Sequence, residues 1–222
     1  GDPFEIKDMD KAVLRINSAI ETGERICIFG DYDCDGVCAT VILEDYLENA
    51  GADVWHYIPD RAKGYGMNDE AIREICDDGT NLIITVDNGI SAIDEAELIY
   101  ELGMELIVTD HHQVGDVLPK AEAVVNPHRA DDSSFDGYCG AGVAFRLVCA
   151  LEDGDNDFMT EQYGDIAALA TIGDIVPLVS ENRKIVKNGL SLISNTNRPG
   201  LASLIELSGA SNGVMNSNAV AY

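Results

Sequence analysis

Arg25-Ile26-Cys27-Ile28-Phe29-Gly30-Asp31-Tyr32-Asp33-Cys34-Asp35-Gly36 is the stretch that decides the fold. Its first half is an apolar run of strand length. Its second half sets three carboxylates within five residues and runs on into a helical pattern from Gly36 to Asn49. A buried strand that empties into a polar loop and then a helix is the opening unit of a parallel sheet. The unit recurs. Strands are expected at Arg25 to Gly30, Asp53 to Ile58, Asn81 to Val86, Met104 to Thr109 and Glu122 to Val125. Helices are expected between them at Gly36 to Asn49, Asn68 to Cys76 and Ser91 to Leu102, the last with Ser91 as N-cap and acidic side chains in its first turns.

From Cys139 onward the pattern is helical: Gly140 to Glu152, Glu161 to Ile172, Asn182 to Ile193, and Pro199 to Leu207 with Pro in the first turn. The fold class is therefore α/β, a largely parallel five-stranded sheet flanked by helices and followed by a helical portion. The boundary is expected near 138, giving a sheet portion over 1–138 and a mainly helical one over 139–222. Glu152-Asp153-Gly154-Asp155-Asn156-Asp157 reads as a solvated acidic loop. Val214 to Tyr222 stops in an apolar segment with no closing signal, so the sequence is expected to belong to a longer protein.

Composition limits the function. Forty acidic against 14 basic side chains give a net charge of −26, while 46% hydrophobic and 24% charged residues suit an ordinary globular core. Proteins that grip nucleic acid over a long footprint neutralise phosphates with Lys and Arg, yet Glu74 to Pro119 contains neither. Metal ions, or parts outside this sequence, must supply positive charge to any polyanionic substrate. Six cysteines form no CxxC pair and are expected to be buried free thiols in a cytosolic setting. Neither a membrane-length apolar run nor a signal-peptide pattern occurs, so a soluble, cytoplasmic chain is expected, with no membrane partner.

Chemistry gathers where strands end. Asp31, Asp33 and Asp35 follow the first strand, Asp87-Asn88-Gly89 the third, and Asp110-His111-His112 the fourth. Open α/β sheets collect ligands at the carboxyl ends of their strands, so these clusters converge. Adjacent residues leaving a strand point oppositely, which would send one imidazole to a metal and the other toward substrate. Asp-x-Asp-x-Asp-Gly also opens a calcium-binding EF-hand loop, but its twelfth position would be Ile42 rather than Glu, and a strand precedes it. Oxygen-rich donors with one or two imidazoles suit Mn²⁺ or Mg²⁺ better than zinc. So many carboxylates exceed the need of one ion. Two ions bridged by a shared Asp would offset about four negative charges, an arrangement used for displacement at phosphorus.

These motifs, together with Ile172-Gly173-Asp174-Ile175-Val176-Pro177-Leu178, resemble the four motifs of the DHH phosphoesterase superfamily. Ile58-Pro59-Asp60-Arg61 with Gly64-Tyr65-Gly66, Asn126-Pro127-His128-Arg129, Cys139-Gly140-Ala141-Gly142-Val143-Ala144-Phe145 and Asn197-Arg198-Pro199-Gly200-Leu201 are similar to its RecJ-type branch, the single-stranded-DNA-specific exonucleases. The similarity runs from Pro3 to the end. It implies two divalent cations, Mn²⁺ or Mg²⁺. Asp33 and Asp87, with Asp31 contributing, would hold one; Asp35, Asp87, His111 and Asp174 would hold the other. His112 would face the scissile phosphate and Asp110 would orient an imidazole. In-line attack by metal-activated water would release nucleotides from a 5′ end in repair and recombination, with Arg61, Tyr65 and Arg129 as substrate contacts. Single-stranded DNA is the implied partner, bound weakly by this stretch alone, with single-strand-binding protein as a further one.

The sequence departs from that family at Phe29, where some relatives place a His ligand, and at Cys34, where a small aliphatic is usual and a bystander is expected. The family's second domain, with a glycine-rich His motif and basic residues, and its OB-like module have no counterpart in these residues. An alternative within the superfamily is an enzyme for short oligonucleotides, cyclic dinucleotides or another small phosphorylated substrate. A signalling receiver domain also gathers acids around Mg²⁺, but it needs a Lys where this sequence reads Asn126-Pro127-His128.

Overall fold

The computed structural model describes residues 1–61, 66–207, 216–217 and 220. A 3-10 turn at Pro3–Glu5 leads into α1 (Met9–Thr22) and β1 (Arg25–Phe29). Then come α2 (Cys34–Asn49), β2 (Asp53–Tyr57), α3 (Asp69–Asp77), β3 (Leu82–Val86), α4 (Ile93–Glu101), β4 (Glu105–Thr109) and β5 (Ala123–Val125). Four helices close the described chain: α5 (Gly140–Leu151), α6 (Asn156–Gly173), α7 (Ser180–Ile193) and α8 (Pro199–Leu207).

The strands form one sheet in the order β2-β1-β3-β4-β5, and every neighbouring pair is parallel. Both faces are covered, which is why the central strands read as unbroken apolar runs. Side-chain direction alternates along each strand and sorts the core. Ile26, Ile28, Leu82, Ile84, Val86 and Ile107 pack with α1, α2, α5, α6 and α7 on one face. Cys27, Phe29, Ile83, Leu106 and Val108 pack with α3 and α4 on the other. The helices after residue 139 join the first of these cores through α2.

Four details differ from the sequence reading. The amphipathic α1 was not expected; it buries Met9, Ala12, Ile16 and Ala19. Ser91 is not an N-cap: α4 begins at Ile93 after Ala92, and Ser91 sits inside the preceding turn, where Ala92 N donates to Gly89 O at 3.1 Å. The acidic loop ends sooner than 157, because Asp155 accepts from Phe158 N at 3.0 Å and starts α6 at Asn156. All six cysteines are free, but only Cys27, Cys38, Cys139 and Cys149 are buried; Cys34 is exposed in the first turn of α2 and Cys76 is half-buried. No helix among the described residues is long and apolar enough to cross a membrane.

Arg129 requires a larger correction. Expected as a substrate contact, it is buried, with all three of its side-chain nitrogens engaged inside the protein. Its Nε and Nη2 each meet Asp131 at 2.9 Å, and Nη1 meets Asp8 at 2.5 Å and the carbonyl of Val124 at 2.8 Å. It ties the start of α1 to β5. Removing one partner of a buried pair strands the other charge, so Arg129→Met is expected to cost about 3 kcal/mol in denaturant unfolding. Activity per folded molecule should not change; a variant of wild-type stability would contradict this structural role.

Candidate metal centre

Parallel strands deliver their carboxyl ends to one rim of the sheet, and the acid clusters sit there. β1 ends at Phe29, and the chain turns sharply enough that a Cβ on Gly36 would lie 2.6 Å from Asp31 Cβ. Asp33 caps α2, accepting from Gly36 N at 2.9 Å. Asp31 is buried, and its Oδ1 has no hydrogen-bond partner among the described residues. Asp87 leaves β3 with φ 63°, in the left-handed region that Asp tolerates better than most residues. Asn88 holds this end in place, donating through Nδ2 to Phe29 O at 3.2 Å and Val86 O at 2.9 Å, and so staples β1 to β3.

Asp35 is held at both of its carboxylate oxygens. The first two amides of α5 point at it: Gly140 N donates to Oδ2 at 2.6 Å and Ala141 N to Oδ1 at 2.9 Å. A helix N-terminus carries partial positive charge, so α5 stabilises this buried anion. Asp174 is placed the opposite way, at the C-terminal end of α6, where the dipole disfavours a carboxylate unless a cation stands nearby.

After β4, Asp110 organises the next two residues and the turn at Ile90. Its Oδ1 accepts from His111 N at 2.7 Å, His112 N at 3.1 Å and His112 Nδ1 at 2.7 Å, while Oδ2 accepts from Ile90 N at 2.9 Å. The imidazole that Asp110 holds is thus that of His112. The strand has already ended at Thr109, so the two histidines do not alternate as a strand would make them. Their ring centroids are 4.5 Å apart. His111 Nε2 reaches 3.1 Å from Asp87 Oδ1 and 3.7 Å from Asp35 Oδ2, whereas the His112 side chain remains about half exposed.

Three groups place ligand atoms within 4.8 Å of one another: Asp31, Asp33 and Asp87; Asp35, His111 and Asp174; and Asp87, His111 and His112. Asp87 belongs to the first and third, and its contact with His111 links the first to the second. Electrostatics mark the strain. Burial pushes the Asp87 carboxyl up to about 8, with the Asp35 charge adding to the rise. Burial acts against a charged His111, but its hydrogen bond to Asp87 and the charges of Asp35 and Asp174 prevail and raise it to about 9. Burial, then Asp35, also raises Asp174. Burial opposes ionised Asp110, yet its hydrogen bond to His112 keeps it below the usual carboxylate range. An orphaned buried oxygen, a carboxylate at a helix C-terminus and an acid forced toward neutrality are all features that divalent cations among these donors would relieve.

Arg61 lies beside this rim with its guanidinium 4.9 Å from the Tyr32 ring centroid. Tyr65 lies outside the described residues. Phe29, at the position where some relatives have His, is buried and stacked on Tyr57 at 5.4 Å, so no imidazole joins the cage there. Asn88 and the Gly140-Ala141 amides are the functional groups that sequence reading missed. The glycine after Cys139 was a visible signal for the second, but its acidic partner stands 105 residues earlier.

The profile of the DHH family, N-terminal domain, matches residues 25–171. Over 223 aligned positions the chain is 46% identical to the single-stranded-DNA-specific exonuclease RecJ of Bacillus subtilis, covering 100% of this chain and 28% of that protein. The Thermus thermophilus exonuclease of the same name is 39% identical over 205 residues, 92% of this chain and 30% of the relative. A crystal structure of exonuclease RecJ bound to manganese superposes with TM-score 0.88 at 37% identity, over 98% of this chain and 55% of that one. Thermus thermophilus RecJ in complex with Mn²⁺ superposes with TM-score 0.84 at 35% identity, over 98% and 31%. The chain spans about a third of the length of the curated relatives it matches.

Proposed function

The chain belongs to the DHH family, and from that membership and the geometry of its acid cage we propose that it carries the catalytic centre of a metal-dependent 5′-to-3′ single-stranded-DNA exonuclease. The observation that carries this reading is Asp87, which groups with Asp31 and Asp33 and also with His111 and His112, and whose contact with His111 reaches the group of Asp35 and Asp174. Likeness over the full chain to exonucleases whose structures hold Mn²⁺ supports the choice of reaction.

In this reading Asp31, Asp33 and Asp87 hold one Mn²⁺ or Mg²⁺, and Asp35, Asp87, His111 and Asp174 hold the second. Bound there, the two cations supply charge neutralisation for in-line displacement at phosphorus. The protein's part is to fix the donors. α5 aims Asp35 with two backbone amides, Asn88 sets the spacing of β1 from β3, and the left-handed turn presents Asp87 to the cage. His112 engages Asp110 through Nδ1, and its Nε2 is the ring nitrogen assigned to the scissile phosphate. Arg61 is assigned to the strand as it approaches. The wider setting we assign is the cytoplasm, in DNA repair and recombination, with single-strand-binding protein as a partner that presents the DNA. The net charge of −26 argues for weak binding of DNA by these 222 residues alone.

Calorimetric titration with Mn²⁺ tests the cage, and it carries a pH signature. Without metal, Asp87 near 8 and His111 near 9 both keep protons at neutral pH, and a metal must displace them. Both values lie above those of the unfolded chain, so the stability that these two groups contribute to the metal-free protein falls as pH rises from about 4 to 9. Metal affinity changes in the opposite direction, rising over the upper part of that range. Two ions per chain are expected, binding at least roughly 10-fold more tightly at pH 8 than at pH 6 and releasing protons. With Mn²⁺ present, a labelled single strand should lose mononucleotides from its 5′ end. No ion binding would overturn the reading; cleavage of dinucleotides but of no longer strand would favour the small-substrate alternative.

A further inference from the structure

Asn126-Pro127-His128-Arg129 follows β5, and of these four only Arg129 has so far been given a role. Asn126 is 0% exposed, and a buried amide is costly unless both its ends are used. Its Nδ2 donates to the backbone carbonyl of His112 at 3.0 Å, and its Oδ1 accepts from His128 N at 2.8 Å. The His128 ring is held at both nitrogens, with Nε2 2.8 Å from Asp136 O and Nδ1 2.9 Å from Gln113 Nε2. A carbonyl can only accept, so Nε2 carries the proton and Nδ1 accepts from the Gln113 amide. One residue earlier, Asp110 N donates to Val125 O at 3.1 Å.

The turn from Asp110 to Gln113 is therefore tied to 125–128 at three successive points: Asp110 to Val125, His112 to Asn126, and Gln113 to His128. His111 has a second hold, its ring being packed against Asp87 and Asp35. His112 is half exposed; its ring meets Asp110 through Nδ1 and lies 4.5 Å from that of His111, and the direction in which it leaves the chain is set by the backbone that carries it. We propose that Asn126, backed by His128, is a positioning residue that sets the backbone of His112 and so aims its imidazole at the mouth of the metal cage. The inference rests on the assignment of His112 to the substrate phosphate, though not on the identity of the strand cleaved.

Asn126→Ala deletes the bond to the His112 carbonyl and leaves every proposed metal ligand in place. Mn²⁺ binding should keep its stoichiometry and change less than about 2-fold in affinity, while kcat on a small phosphodiester falls on the order of 100-fold at nearly constant KM, the scale set by a misplacement of about 1 Å. In metal-free protein, the ¹H–¹⁵N signal of His112 Nδ1 against Asp110 should shift or exchange away, and that of His111 should persist. His128→Ala, at a half-buried side chain, is the variant to use if Asn126→Ala does not fold; the same changes are expected, with kcat down about tenfold. A lowered melting temperature with kcat and the His112 signal untouched would make the brace merely structural and overturn the proposal. If the wild-type chain with Mn²⁺ hydrolyses no phosphodiester, the functional reading fails, and the imidazole spectrum still decides the brace.

Discussion

Asp87→Asn is expected to lower metal-dependent phosphodiester hydrolysis on the order of 1,000-fold, equivalent to about 4 kcal/mol of lost charge stabilisation, while leaving the fold intact. Asn is the informative replacement. It keeps the shape of the side chain and tolerates the left-handed backbone at φ 63°, so the turn after β3 survives. What it removes is the anion shared between the two ligand groups. Calorimetry should then show fewer than two Mn²⁺ per chain. Stability should move the other way in the metal-free protein at pH 8 and above, because burial has already pushed the Asp87 carboxyl to about 8 and its ionised form opposes folding there. His111, deprived of the partner that holds it raised, should titrate lower, since burial then dominates. Full activity in this variant, or two ions still bound, would exclude Asp87 as the bridge.

The sequence disclosed the sheet because a parallel sheet covered on both faces leaves no room for polar side chains. All five residues of β3 are buried, and the acids begin where the strand stops. Three such stops on neighbouring strands can only meet at one rim, which is why Asp31, Asp33, Asp35, Asp87, Asp110 and His111 group together on sequence alone. Local pattern failed where the partner was distant or the stripe was weak. Two of the four residues that α1 buries are Ala, which gives little contrast against its polar face. Arg129 stands in a polar stretch next to Asp131 and reads as a surface cation; nothing local announces that Asp8, 121 residues away, buries it. The directions of the two histidine rings differ from expectation for a related reason. Strand alternation stops at Thr109, because the Asp110 carboxylate bends the chain into a turn there. His112 consequently lies beside His111, and both can serve one centre.

Gly140→Ala should be nearly as damaging as loss of a ligand, although Gly140 contributes no ligand atom. A Cβ there would stand 2.5 Å from Asp87 Cβ and 2.6 Å from its Cγ, distances that real Cβ atoms essentially never show. The neighbour is no flexible side-chain end but the base of the residue shared between the ligand groups. One side must give. If Asp87 moves, it leaves both groups; if α5 slides back instead, the amides of Gly140 and Ala141 withdraw from Asp35, and a buried anion loses two charge-assisted hydrogen bonds. Either way the expected loss in kcat is about 100-fold or more, because a displacement near 1 Å at reacting groups costs that much. A purely steric defect in the core would lower stability and spare the metal. The prediction is therefore a coupled one: weaker Mn²⁺ binding with a cooperative thermal transition still present. Gly142→Ala, two residues along α5, supplies the comparison, since the nearest atoms to its added Cβ would belong to Tyr138, at 3.2 Å, and not to the acid cage, and it should leave Mn²⁺ affinity unchanged. Equal loss of metal affinity in the two variants would show that α5 tolerates no added methyl anywhere along that turn, and the special fit of Gly140 against Asp87 would have to be abandoned.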